Sequence, residues 1–185
     1  MVIPNKQKLY TVEEFEAYIA QSENVDRLLE LIEGEIVEKM PTELHAAIVG
    51  LIIGHIFIYF QQNPIGWILP EARYRLPKDD HNARMPDVSV VIGRDRRLVD
   101  KGAAPYIPDL AIEVQSPDDS LKKMRQKAEY YLANGGKMVW LVYTDKQIVT
   151  LLTLDDEQLL QINDVIDGGD VLPGFKLAVR DIFPQ

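Results

Sequence analysis

Two short runs constrain this chain more than anything else in it: Met85-Pro86-Asp87-Val88-Ser89-Val90-Val91-Ile92 and Leu110-Ala111-Ile112-Glu113-Val114-Gln115-Ser116. Each is apolar and rich in β-branched residues, and each carries one carboxylate. Runs of this kind read as buried strands, yet a buried carboxylate without a partner is costly. Two such anions on adjacent strands would repel by about 4 kcal/mol at about 4 Å in a medium of effective dielectric near 20. A cation between them is the simplest way to keep both ionised. Taken singly, Asp87 could cap a turn, Glu113 could sit in a structural ion pair with an Arg or Lys, and Lys127 could be an ordinary surface lysine. These readings stay open on the residues alone.

The 185 residues suit one domain, 1–185, with a core large enough to need no staples. There is no cysteine, which excludes disulfides and thiolate zinc sites. Residues 1–6 show no secretory signal. The longest apolar stretch, 46–60, contains His55 and two glycines and is short for a bilayer, so a cytoplasmic protein with no membrane partner is expected. The net charge of -9 argues against avid nucleic-acid binding driven by counterion release. It leaves room for a metal-dependent phosphodiesterase, whose acidic site the ion partly neutralises.

Thr11-Val12-Glu13-Glu14 has the form of a capping box and predicts a helix over 12–20. Two β-like runs around Glu33-Gly34 predict a hairpin. Residues 42–62 recur at helical spacing and are apolar on most sides, which predicts a helix packed against a sheet, with His45 in its first turn. Strands are expected over 67–76, at Asp87, at Glu113, over 138–143, over 148–154 and over 159–162. Ser116-Pro117-Asp118-Asp119 reads as a helix start with Ser116 as cap, and that helix should end at Gly135. A helix between the Glu113 strand and 138–143 makes those two strands parallel. The expected class is therefore α/β, a sandwich around a mixed sheet.

Pro86-Asp87, Glu113-Val114-Gln115 and Lys127 resemble the PD-(D/E)XK nuclease superfamily. More narrowly, the chain resembles the Uma2 family, also called DUF820, restriction-endonuclease-like proteins common in cyanobacteria. The matching pieces span nearly the whole chain: residues 30–35, His45, 86–91, 108–117, Lys127 with Tyr131, 140–142 and 172–175. The resemblance implies a restriction-endonuclease-like mixed β-sheet flanked by helices, with an N-terminal helix and β-hairpin extension. It implies that Asp87, Glu113 and the Val114 carbonyl ligate Mg²⁺, with Mn²⁺ an acceptable substitute, for hydrolysis of DNA by a metal-activated water. The superfamily's usual lysine position holds Gln115, and Lys127 on the following helix is the matching lysine. His45, Glu30 and Glu35, in that order, are candidates for an extra ligand or base. A homodimer is expected, with Tyr10 and Trp67 as exposed aromatics inviting a partner. The alternative function is a catalytically inactive nuclease-fold module that binds nucleic acid or protein.

Overall fold

The computed structural model describes residues 8–117 and 119–184; the N-terminal residues read for a leader, and Asp118 of the Ser-Pro-Asp-Asp run, lie outside them. The chain forms two compact units. The first comprises the chain up to Met40 with Arg73–Met85 and Val99–Tyr106. It contains helix α1 (Val12–Ile19) and strands β1 (Leu29–Ile32) and β2 (Glu35–Glu38). The capping box closes as expected: Glu14 N–H donates to Thr11 Oγ1 at 3.2 Å and Thr11 N–H donates to Glu14 Oε2 at 3.0 Å. Val12, Phe15 and Ile19 pack on Leu29, Leu31 and Ala83. β1 and β2 are antiparallel and joined by Glu33 and Gly34, whose φ values of 50° and 83° are both left-handed. A two-residue loop with that pair of angles matches the twist of the strands it joins, and glycine adopts it without a Cβ penalty.

The second unit comprises Pro41–Ala72, Pro86–Leu98 and the chain from Ile107 onward. Helix α2 (Glu43–Gln62) leads into a six-stranded sheet of β3 (Gly66–Pro70), β4 (Val88–Ile92), β5 (Leu110–Val114), β6 (Met138–Tyr143), β7 (Ile148–Leu152) and β8 (Glu157–Leu160), in that spatial order. β5 and β6 are parallel and joined through helix α3 (Leu121–Ala133); every other neighbouring pair is antiparallel. The expected α/β class with a mixed sheet and flanking helices is what the chain adopts. β3 stops at Pro70 rather than at 76, and β7 at Leu152 rather than at 154. A last hairpin, β9 (Val165–Asp167) with β10 (Lys176–Ala178), contributes Ile166, Phe175 and Leu177 to the core.

Side chains alternate across the sheet. Val88, Val90, Ile112, Val114, Trp140 and Val142 face a cluster with Ile48, Ile52, Ile56 and Phe60 of α2. The intervening positions, among them Ala111, Glu113, Val139 and Leu141, turn toward α3, which packs on β5 and β6. α2 packs against the sheet as expected, and it does so along one face, so part of its apolar surface stays uncovered. Leu44, Leu51, Phe57 and Ile58 are exposed. Gly50 and Gly54 stand on the open side, where a Cβ would meet nothing within 4 Å. Each exposed mid-helix glycine costs about 1 kcal/mol relative to alanine.

α3 is tied to the sheet edge by Arg125, whose two terminal nitrogens donate to the Glu157 carboxylate at 2.6 and 2.7 Å. These bonds hold the Glu157 carboxyl below its ordinary value of 4.5 and raise Arg125 further. A depressed carboxyl contributes stability above its unfolded value and loses it as pH falls through the lowered one. Arg125→Ala should therefore cost about 0.5 kcal/mol at pH 7, solvent screening included. In thermal melts the cost should fade as the pH is lowered well below 4.5.

Candidate active site

β4 and β5 pair with Val88 opposite Ile112, Ser89 opposite Ala111 and Val90 opposite Leu110. The pairing ends there, and the Val114 N–H then turns to the Asp87 side chain, which joins the ends of the two strands that bear Asp87 and Glu113. Asp87 precedes β4, and its carbonyl accepts from Glu71 N–H at 3.3 Å, so the β3–β4 ladder runs on through it. Both acids are buried, at 2% and 3% exposure.

Each carboxylate is held by named partners. Asp87 Oδ2 accepts the Val114 N–H at 2.7 Å and lies 3.2 Å from His45 Nε2. Glu113 Oε1 accepts the Tyr131 hydroxyl at 2.9 Å, and Oε2 lies 3.2 Å from Lys127 Nζ. Lys127 and Tyr131 are four residues apart and so share one face of α3. Lys127 is half-buried, at the margin of the helix's buried positions Met124, Ala128, Tyr131 and Leu132.

His45 is the third residue of α2, where its backbone N–H donates to the cap Thr42 Oγ1 at 3.2 Å. A carboxylate only accepts, so His45 Nε2 carries a proton in its contact with Asp87. His45 Nδ1 is buried and has no hydrogen-bond partner. In the second unit His45, Asp87 and the Val114 N–H thus form one group, and Glu113, Lys127 and Tyr131 another, the two meeting at adjacent residues of β5. Glu30 lies in the first unit, buried on β1, and accepts the Met85 N–H at 3.3 Å. Glu35, also in that unit, is exposed.

α3 begins later than the sequence suggested. Ser120, not Ser116, is its cap, accepting the Lys123 N–H at 3.2 Å. The β5–β6 ladder continues to Gln115, whose N–H donates to Val142 O at 2.8 Å, and the chain must then reverse. Ser116 and Asp119 serve that reversal: Asp119 N–H closes on Ser116 O at 2.9 Å and Ser116 N–H donates to Asp119 Oδ2 at 3.0 Å. Ser at the first place of a turn and Pro at the second suit a turn as well as they suit a helix start. The Gln115 amide is turned to Asp119 O at 3.4 Å, and a neutral amide is no base.

The oxygen donors fit a hard divalent cation. Two carboxylates and a backbone carbonyl at one end of a sheet, with the remaining positions left to water and substrate, is a donor set Mg²⁺ accepts. Among the described residues no group of three or more His, Asp or Glu side chains is assembled to hold an ion, so an ion at these two acids would depend on the backbone carbonyl, water and substrate for its other positions. The arginines of residues 94–97 lie elsewhere. They follow the far end of β4, about 17 Å along the strand from Asp87, and Arg94 lies over the Trp67 ring at 4.3 Å. In the sequence Tyr131 stands only beside Lys127 among the pieces of the family resemblance, with no role of its own. Its grip on Glu113 was signalled by nothing more than its i+4 spacing from Lys127.

A mixed sheet with acids at adjoining strand ends, and a crossover helix lending a lysine to one of them, defines the restriction-endonuclease-like class of α/β proteins. The chain belongs to the Uma2 family, described as "Putative restriction endonuclease", which matches residues 12–180. It is also similar to a crystal structure of "a putative nuclease belonging to DUF820" from Anabaena variabilis ATCC 29413. That structure superposes with a TM-score of 0.77 at 25% identity, covering 94% of this chain and 97% of the other. No curated protein matches significantly.

Proposed function

We propose that this protein is a nuclease that hydrolyses phosphodiester bonds of DNA with a divalent cation, Mg²⁺ or Mn²⁺, held by Asp87, Glu113 and the Val114 carbonyl. What supports the reading is that both buried acids stand at the adjoining ends of β4 and β5, Asp87 bonded to the Val114 N–H and Glu113 beside Lys127. Bound there, such an ion supplies an acidified water and neutralises charge on the scissile phosphate. The chain's own share is positioning. The Val114 N–H and His45 fix Asp87, the Tyr131 hydroxyl fixes Glu113, and Lys127 keeps a positive charge beside the acids where an anionic phosphate must arrive.

A second reading, a nuclease fold that binds nucleic acid or protein without cutting, is favoured by one observation, the uncharged Gln115 at the superfamily's lysine position. Calorimetric titration of the protein with Mn²⁺ and Mg²⁺, beside cleavage assays on single- and double-stranded DNA, separates the two. The nuclease gives ion-binding heat that disappears in Asp87→Asn, and cleavage that chelation abolishes. A protein giving neither is the binding module.

A further inference from the structure

We propose that the corner of the sheet where β3 begins and β4 ends is a second binding site, which takes the phosphate backbone of DNA on Arg94, Arg96 and Arg97. The identity of that polyanion rests on the nuclease reading; the site itself is built apart from the acids. β3 and β4 pair with Gly66 opposite Ile92 and Trp67 opposite Val91, and the Gly93 N–H donates to Ile65 O at 2.8 Å. The turn that follows β4 therefore stands against the start of β3. The approach is close, since a Cβ on Gly66 would lie 2.4 Å from Val91 O. Gly93, at a φ of 106°, turns the chain, and Arg96 N–H closes on Gly93 O at 3.1 Å. The three arginines are thus carried on a hydrogen-bonded turn fixed to two strands.

All three are exposed, and Asp95 is the one acid among them. Trp67, expected to draw a partner through its ring, is half-buried, and the Arg94 guanidinium carbon lies 4.3 Å from its centroid. A guanidinium stacked on an indole keeps its N–H donors around the rim of the plane, where a phosphate can meet them. It has also given up part of the side-chain freedom that binding would otherwise cost. Lys8 over Tyr10 is the contrast: it stands 4.5 Å from the ring centroid and 3.2 Å from the Glu14 carboxylate. Neither Arg94 nor Arg97 pairs with a carboxylate among the described residues. Asp109, at the start of β5, is already engaged, its Oδ2 accepting the Ile92 N–H at 2.8 Å and its Oδ1 2.9 Å from Lys137 Nζ.

The net charge of -9 makes such a corner matter. Most of an acidic chain repels a polyanion, so a nucleic acid has to be gripped where positive charge is local. Arginine forks fit the paired oxygens of phosphodiesters, and contacts of that kind position a strand without reading its sequence. The corner is also placed for it. Trp67 points away from the α2 cluster, which takes Ile68 and Ile92 instead, and Glu113 lies on that same face of the sheet. The turn stands about 17 Å along β4 from Asp87, which is about five nucleotide steps of roughly 3.4 Å. It would hold the strand that flanks the scissile bond, leaving the bond itself to the acids.

Fluorescence anisotropy of a labelled DNA duplex of about 20 base pairs, titrated with the full chain in EDTA from low salt upward, tests this. Arg94→Gln with Arg97→Gln removes two cations from the turn; Lys176→Gln with Arg180→Gln removes two exposed cations on and after β10. The first pair is expected to weaken binding about tenfold and to make the slope of log K against log salt shallower by about 2. The second pair is expected to match wild type. If the first pair fails to fold, Arg97→Gln alone decides, by a slope change of about 1. With no divalent ion present the outcome does not depend on cutting. A protein that binds DNA through this turn and cleaves none refutes the nuclease reading and leaves the site standing. The site is overturned if wild type binds no DNA, if the turn variant keeps the wild-type slope, or if both pairs change it alike. It is equally overturned if the turn variant loses binding to polyglutamate rather than to DNA, the mark of an acidic protein partner.

Discussion

Glu113→Gln is expected to keep its fold, at a cost in stability for removing the charge that faces the Lys127 ammonium, and to lose ion-dependent DNA cleavage about a thousandfold. Glutamine has the shape of glutamate and its Oε1 can still accept the Tyr131 hydroxyl, so packing at the β5 end is kept. What disappears is the charge. A divalent ion contributes several kcal/mol of charge stabilisation in the transition state, and about 4 kcal/mol is three decades in rate. The measurement is the rate of plasmid cleavage over a range of Mg²⁺ and Mn²⁺ concentrations, with Asp87→Asn as the parallel case. A wild-type rate in one variant would remove that acid from the chemistry, and wild-type rates in both would leave the fold without its assigned mechanism.

Lys127→Met should be the most destabilising substitution on the outer turns of α3, by about 3 kcal/mol. Breaking a buried pair strands the remaining charge, which costs more than the pair itself contributes. Glu113 is 3% exposed, and its Oε2 faces the Lys127 ammonium at 3.2 Å. Adding Glu113→Gln to Lys127→Met should return most of the loss, because a neutral amide beside a thioether leaves no uncompensated ion. The readout is a double-mutant cycle in urea, with a coupling of at least about 1 kcal/mol expected between contacting residues of this kind. Additive single effects would show that the ammonium does not stabilise the carboxylate.

Much of this architecture is written in local pattern. Glu33-Gly34 specifies its hairpin because two left-handed residues in succession suit few other structures. Thr11 and Glu14 specify the start of α1 for an equally local reason. Ser116-Pro117 misled, since a turn and a helix start ask for the same residues. What decides between them is how far the β5–β6 ladder runs, which is set by residues near 142. The period of α2 revealed a helix but not that one apolar face stays uncovered, because periodicity counts apolar positions without knowing how many neighbours are available. The site itself divides in the same way. Asp87 and Glu113 stood out as charges inside apolar strands, whereas His45 against Asp87 joins residues 42 apart in the chain and no local pattern encodes that meeting. Tyr131 was hidden by its own burial: a tyrosine in an apolar stripe reads as packing until its hydroxyl is seen on a carboxylate.

The bond from the Val114 amide to the Asp87 carboxylate ties the solvent behaviour of one backbone proton to the integrity of the strand ends. That proton leaves for bulk water only when the side chain lets go. Its exchange lifetime is therefore a clock for fraying of the central strands at this corner, readable without substrate and independent of what the protein cuts.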